Sequence, residues 1–514
     1  MNKAKKTFRE VIFSKTVIVG VLLLIQLAML LVFTVRFYRY FAAMYGVLLI
    51  VSLIVLLQII NDDAMNPSYK IAWIIPIIAF PMFGVLFYLM AGHCHLSKKT
   101  SARLIVEEKK YGLAGYRCDK AQAALLKLPA AARSQSEYIA RAGYPAFTDT
   151  DVEYLSPGEV FFESLLNDLK SAERYIFMEY FIIGEGVMWQ PILDVLEQKA
   201  KEGVDVRVIY DGFGCLNTLP NDYFKQLREK GIKCIEFNPL IPILTIYMNN
   251  RDHRKITVVD GKVGYMGGVN LADEYINVID RFGHWKDSAV RLKGDAVKSL
   301  TSMFVTMYNA LSPKDCCGME KLEPDEPSQS CGGVVQPYSD TPLDKEQVGE
   351  GIYLNMIAKA NRYIYMCTPY FIVDNELLTA LLLAAKSGVD VRIITPHIGD
   401  KWYVHTVTRS FYPQLIAGGV KVYEYMPGFI HSKVFVSDDI TATVGTVNLD
   451  YRSLYLHFEC GVWMTGCSAI ADIKQDFLTT LKSCHEITGS DLQQKGRGLR
   501  QLVAAIIRVF APLM

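Results

Sequence analysis

The chain is expected to be an α/β protein made of two related halves, each a sheet flanked by helices, preceded by N-terminal transmembrane helices. Three observations predict this. The stretch HRKITVVDGKVGYMGGVN, from His253 to Asn270, returns as HSKVFVSDDITATVGTVN from His431 to Asn448. The alternation of strand-like and helix-like segments around the first copy repeats around the second. Finally, three apolar runs lie before residue 95, at Thr16–Val35, Phe41–Ile60 and Ile71–Ala91. Each has about 20 residues, the length that crosses a bilayer core of roughly 30 Å.

The repeat sets the register of the halves. At an offset of 178 residues, His253, Lys255, Val258, Asp260, Gly267, Val269 and Asn270 fall on His431, Lys433, Val436, Asp438, Gly445, Val447 and Asn448. With nine histidines in the chain, roughly 0.02 chance matches to H-x-K-x4-D are expected, so two matches are not accidental. Each copy reads as strand, turn, strand: Ile256 and Val258, like Val434 and Val436, alternate at a period of two, and Asp260-Gly261 is a hairpin turn signal. The likeness extends further. RYIFMEYFII (174–183) is answered by RYIYMCTPYFIV (362–373), and AKEGVDVRVIY (200–210) by AKSGVDVRIIT (385–395). In the first half, Glu159–Leu169 has helical spacing, Tyr175–Phe181 reads as a strand, Ile192–Lys201 as a helix and Val204–Tyr210 as a buried strand. Such alternation argues for a helix-covered sheet in each half.

The repeated residues carry chemistry suited to phosphate. On a strand, positions i and i+2 share a face, so His253 projects with Lys255 and His431 with Lys433. The ammonium neutralises phosphate oxygens as a point charge, and the imidazole, with an ordinary pKa near 6.5, serves as nucleophile or proton carrier. Amides at Asn270 and Asn448 suit the same oxygens. Two histidines divide the labour: one, neutral, attacks phosphorus, while the other protonates the leaving alcohol and deprotonates the incoming one. The residues show no clustered carboxylates or Cys/His ligands around either motif, so neither metal nor other cofactor is expected, and the absence of a Gly-rich phosphate loop and of a D-G-x-x-A-R motif disfavours a nucleotide-linked donor.

These residues resemble the duplicated HKD motif of the phospholipase D superfamily. The resemblance implies that the two motifs meet at a pseudo-two-fold interface, form one active site and react through a phosphohistidine. It implies a catalytic set of His253, Lys255, Asp260, His431, Lys433 and Asp438, with His253 as nucleophile and His431 as acid and base. Asp260 and Asp438 belong to the motif's name, yet their place at the turn points to a structural role. Asn270, Asn448, Gly268 and Thr446 are assigned to the substrate phosphate. Gly268 departs from the family's usual Ser or Thr, which takes a hydroxyl away from one oxygen contact, although a Gly N–H offers a substitute. An acid beyond the Asn orients a catalytic imidazole: Glu459 matches in the second half and Asp287 is the candidate in the first, with Asp280 and His284 as nearby competitors for the match. Glu179 stands where the second half has Thr368-Pro369, so the halves are not equivalent.

The segment Asn66-Pro67 with AWIIPIIAFPMFGVLFYLMAG (72–92), and the ending RVFAPLM, resemble bacterial cardiolipin synthases. This resemblance implies a multi-pass enzyme of the bacterial cell membrane that transfers a phosphatidyl group from one phosphatidylglycerol to another, releasing glycerol, and binds no nucleic acid; the basic residues after the third run place its catalytic part in the cytoplasm. Hydrolysis by a phospholipase D, or transfer to another alcohol, is the alternative. The net charge of +1 points to no partner. The expected partition is a membrane anchor of two to three helices (1–95), a linker with helical character (96–148), a first half (149–315), a connector (316–342), a second half (343–486) and a tail helix (487–514). Cys316, Cys317 and Cys331 read as loop cysteines, and the 11 scattered cysteines show no disulfide framework. The first apolar run is not read as a cleaved signal, because it is long, lacks a small-residue cleavage site and is followed by a second run. Orientation poses a conflict. Lys3, Lys5, Lys6, Arg9 and Lys15 seek the cytoplasm, as do Lys98, Lys99, Arg103, Lys109 and Lys110, and an odd number of spans forbids both. One run is therefore expected to fall short of a crossing, and the first is the candidate, lying at the interface.

Overall fold

The computed structural model describes residues 41–63, 65–92, 96–239, 250–318, 333–493 and 505–513, with isolated positions between 24 and 36. The chain divides into two compact units, one holding the N-terminal helices and the other the two α/β halves. The first apolar run lies mostly outside the described residues, as do Cys331 and much of the tail.

The N-terminal unit contains α1 (Phe41–Ile60), α2 (Pro67–Ala79) and α3 (Pro81–Ala91). Asn66 caps α2, its Oδ1 accepting from Ser68 N at 2.9 Å, and Pro67 takes the first helical turn, where a missing N–H is harmless. The third apolar run, read from sequence as a single element, is two helices. Pro81 disfavours helical backbone at the residue before it, and Phe80 accordingly sits at φ −139°, ψ 76°. The chain then folds back: the Trp73 ring lies 5.2 Å from Phe87 and 5.4 Å from Tyr88 between centroids. Val55 and Ile59 of α1 close a small core with Trp73, Ile77, Val85 and Tyr88. Among the described residues no helix is long and apolar enough to cross a membrane.

In the larger unit, residues 97–148 form α4 (Lys98–Tyr111), α5 (Asp119–Leu125) and α6 (Ala130–Arg141). They are anchored rather than trailing: Ser302 Oγ donates to Tyr111 O at 2.7 Å, and Trp463 Nε1 to Gln135 Oε1 at 3.0 Å.

The first half has strands β1 (Thr150–Leu155), β2 (Tyr175–Tyr180), β3 (Asp205–Asp211), β4 (Lys233–Phe237), β5 (Lys255–Val259), β6 (Val263–Gly267), β7 (His284–Lys286) and β8 (Ala289–Gly294). Seven of them make a sheet in the order β1-β8-β6-β5-β2-β3-β4. The second half supplies β9 (Val334–Asp340), β10 (Tyr363–Cys367), β11 (Phe371–Ile372), β12 (Asp390–Pro396), β13 (Lys421–Tyr425) and β14 (Gly428–Ile430). It continues with β15 (Val434–Ser437), β16 (Thr441–Gly445), β17 (Leu449–Asp450), β18 (Glu459–Thr465) and β19 (Cys484–Glu486). Its main sheet runs β19-β13-β12-β10-β15-β16-β18-β9.

The two sheets share one plan. β2 lies parallel to β3 and antiparallel to β5, as β10 lies parallel to β12 and antiparallel to β15. This register sets Glu179 opposite Ile256 and Cys367 opposite Val434, so the counterpart of Glu179 is Cys367, and Thr368-Pro369 follows it. Strand β9 falls where an exposed connector was expected. It is an edge strand on β18, the sheet position that tolerates its Pro337.

A site at the junction of the two halves

Each motif histidine stands just before a central strand. The hairpin β5–β6 carries His253 at its start, and β15–β16 carries His431. The strand ends then meet across the halves. His253 N donates to Phe458 O at 2.9 Å, and Phe458 N to Arg251 O at 2.9 Å. In the reciprocal junction His431 N donates to Lys286 O at 2.7 Å, and β7 pairs in parallel with β14. One exchange therefore occurs twice, as a pseudo-two-fold relation requires.

The carboxylates follow it. His253 Nδ1 lies 2.9 Å from both oxygens of Glu459, and His431 Nδ1 lies 2.6 Å from Asp287 Oδ2. The acid of each half thus serves the histidine of the other. Both acids are completely buried, and the histidines are only 7% and 6% exposed. A carboxylate is an acceptor only, so each imidazole carries its proton on Nδ1 and leaves the Nε2 lone pair for chemistry. Asp280 and His284 are otherwise engaged: Asp280 Oδ1 accepts from Gly283 N at 2.8 Å, and His284 Nδ1 faces Tyr425 Oη at 3.0 Å.

Electrostatics fix the charge states. Burial holds His253 well below the usual imidazole range, with Lys255, Lys433 and His431 adding repulsion. Burial and Lys433 bring His431 down to about 4, against the pull of Asp287. Lys255 is lowered to about 8 and Lys433 to about 7, again chiefly by burial. Burial works against ionisation of Asp287, but His431 and Lys433 outweigh it and keep its pKa below the ordinary value. The site is buried and sets two neutral imidazoles among two lysines and two carboxylates, and an anion entering it would raise the proton affinity of both imidazoles. Each lysine Nζ donates to the carbonyl of its own histidine.

Other predicted residues divide. Asp260 and Asp438 do not join the histidines, because each stands in the turn at the far end of the strand that its histidine precedes. They hold the loop ahead of the neighbouring strand instead. Asp260 accepts from the N–H groups of Glu173, Arg174 and Tyr175, at 2.8, 2.7 and 2.9 Å. Asp438 accepts from Asn361, Arg362 and Tyr363, at 2.7, 2.9 and 2.8 Å. Both sit at positive φ in the turn, a conformation Asp tolerates. Asn270 is spoken for, accepting from Ile182 N at 3.0 Å and donating to Tyr275 Oη at 2.6 Å, whereas Asn448 Oδ1 is buried without a partner.

Thr446 and Gly268, expected on the phosphate, lie beneath the acids. The Thr446 hydroxyl donates to Glu459 Oε2, and Gly268 makes room for Asp287, whose Oδ1 would stand 2.1 Å from a Cβ there. The halves thus support their carboxylates differently: a longer acid braced by a hydroxyl, or a shorter one pressed against bare backbone.

The walls went unseen in the sequence. Phe181 meets His253 edge-on at 4.9 Å, and Trp285, Tyr275 and Phe429 surround His431 at 5.4 to 5.8 Å. His457, two residues before Glu459, lies 5.7 Å from the His253 ring. Both its nitrogens are buried without hydrogen-bond partners, and burial lowers its pKa to about 4. His253, His457 and Glu459 offer ligand atoms within 4.8 Å of one another. Glu459 is already occupied by His253 and Thr446, however, and two lysines face the same space.

Comparison with known proteins gives the family. The family model described as cardiolipin synthase, PLD-like domain, matches residues 165–283 and 353–481, and the phospholipase D-nuclease N-terminal model matches residues 47–93. The cardiolipin synthase of Alkalihalophilus pseudofirmus is 33% identical over 91% of this chain and 93% of its own length. Cardiolipin synthase 2 of Bacillus cereus is 35% identical over 87% of each. An uncharacterized protein of Streptococcus mutans is 44% identical over 89% of this chain and 99% of its own. The crystal structure of phosphatidylserine synthase from Haemophilus influenzae shares the fold, with a TM-score of 0.53 at 14% identity over 71% of this chain and 93% of that one. The chain belongs to the cardiolipin synthases of the phospholipase D superfamily, and is a phosphatidyltransferase.

Proposed function

We propose that the protein is a membrane-bound, multi-pass cardiolipin synthase, working at the cytoplasmic face, that transfers a phosphatidyl group from one phosphatidylglycerol to another. Nε2 of His253 attacks phosphorus, the N–P bond forms and the P–O bond to glycerol breaks. His431, protonated once the phosphate has entered, gives its Nε2 proton to the departing glycerol oxygen. The hydroxyl of a second phosphatidylglycerol returns a proton to His431 and attacks phosphorus, so that the N–P bond breaks and cardiolipin leaves. Lys255 and Lys433, with the amide of Asn448, attend the phosphate oxygens, while Asn270, held by Ile182 and Tyr275, braces the site beside them.

The observation that carries this reading is the crosswise pairing of Glu459 with His253 and of Asp287 with His431, which brings both imidazoles and both lysines to one junction. The aromatic walls favour a lipid alcohol over water as acceptor. Purified protein incubated with phosphatidylglycerol alone should yield cardiolipin and glycerol. Phosphatidic acid as the sole product would make the enzyme a hydrolase instead.

A further inference from the structure

We propose that the hairpin α2–α3 enters one leaflet of a phospholipid bilayer and returns to the face it came from, with the acyl chains of that leaflet as its surroundings. At 1.5 Å per residue the 13 residues of α2 rise about 20 Å and the 11 of α3 about 16 Å. Each is short of a core of roughly 30 Å and long enough to reach about its midplane. Trp73 against Phe87 and Tyr88 shows that the two helices run back to back, and Gly84 allows the approach: a Cβ there would stand 2.4 Å from Pro76 O.

The hairpin's surface suits hydrocarbon. No charged residue occurs from Ile71 to Ala91. The tip is apolar and bare, with Ile78 65% and Phe80 67% exposed, and Ile71 and Leu89 are exposed on the flanks. A hairpin apolar all round is covered by something other than water. Its turn is also prepared for a medium without hydrogen-bonding partners. Phe80 N donates to Pro76 O at 2.9 Å, Phe80 O accepts from Gly84 N at 2.7 Å, and Pro81 has no N–H to satisfy. The polar groups collect at the base, where Lys70 Nζ donates to Ile60 O at 2.8 Å.

This resolves the charge conflict in the sequence. If the third run enters and leaves by one face, it adds no crossing, and the odd count that set the two basic groups on opposite sides disappears. The basic groups at Lys3–Lys15 and at Lys98–Lys110 then share the cytoplasmic side. It is the third run, rather than the first, that falls short of a crossing.

The test is cysteine accessibility in the full-length protein in its membrane, with Asp63→Cys, Phe80→Cys and Lys98→Cys made singly. A charged, membrane-impermeant maleimide is applied to intact cells and to inverted vesicles, and labelling is read at the peptide carrying each position. Positions 63 and 98 should label only in inverted vesicles. Position 80 should label more than about tenfold slower than both from either side, because a charged reagent is excluded from hydrocarbon. Labelling of 63 and 98 from opposite faces would mean that the third run crosses and would overturn the proposal. Rapid labelling of position 80 would overturn it too, placing the hairpin in water or against protein.

Discussion

Because the orienting acids cross between the halves, conservative substitutions should separate the two chemical roles in an order the chain does not suggest. Glu459→Gln leaves shape and volume nearly intact but replaces a fully buried carboxylate, 2.9 Å through both oxygens from His253 Nδ1. A hydrogen bond to a charged group contributes about 1.5–3 kcal/mol, hence roughly 10–100-fold in rate. The amide also donates toward Nδ1 and so favours the tautomer whose Nε2 is protonated and cannot attack. Where an orienting acid is made an amide in a serine protease triad, that error costs about 10⁴-fold, so the expected loss lies between about 10² and 10⁴. Asp287→Asn should cost about as much with phosphatidylglycerol, but through His431. The two part company on p-nitrophenyl phosphatidyl ester, whose leaving group needs no proton. Asp287→Asn, like His431→Ala, should release a burst of nitrophenol and accumulate acid-labile phosphohistidine. Glu459→Gln, like His253→Ala, should do neither. A burst in Glu459→Gln and none in Asp287→Asn would reverse the roles of the histidines or return each acid to its own half, and label trapped on residue 431 would decide for the former. No trapped label in any variant, together with inversion at phosphorus, would sink the covalent route.

Four further outcomes are expected. Gly268→Thr should cut cardiolipin formation by about 10–100-fold, because overpacking by about 1–3 kcal/mol displaces Asp287, whereas Thr446→Ser should keep most activity in the same assay. Asp438→Ala leaves the buried Tyr363 N–H unmet, at about 1–3 kcal/mol, along with the partly buried N–H groups of Asn361 and Arg362, and should lower the melting temperature in detergent by several degrees while the folded fraction still releases nitrophenol. His457 is lowered to about 4 in the folded protein, so between that value and its ordinary 6.5 the unfolded chain binds more protons, and this group's contribution to stability is lost as pH falls. The drop in melting temperature from pH 7.5 to pH 5 should therefore be smaller in His457→Asn than in the wild type, and equal drops would refute the shift. Transfer should survive exhaustive EDTA, since two lysines occupy the role a cation would take; complete loss restored only by a divalent ion would overturn the two-histidine mechanism.

The duplication and its chemistry were legible because they rest on identities at fixed spacing, from His253 to Asn270 and from His431 to Asn448. What escaped depends on partners distant in sequence. Nothing in the order of residues reveals that Glu459 faces His253, 206 positions away, since only the closed junction decides it. The purpose of Gly268 is invisible without the position of Asp287. Strand β9 was hidden by Pro337, a strand breaker in the interior that an edge accommodates. The break in the third apolar run was written in Phe80-Pro81, but a hydropathy reading weighs side chains and overlooks the missing N–H.

The crossed carboxylates also bear on how such a chain could arise. A single half folds around its own sheet but carries a histidine without its acid and an acid without its histidine, so a one-half ancestor would have been competent only as a symmetric pair. Joining two copies in one chain removes the need for an encounter and frees the copies from identity. The braced Glu459 with Thr446, beside the cramped Asp287 with Gly268, records that freedom: the same task solved twice, by residues that could not be exchanged one at a time.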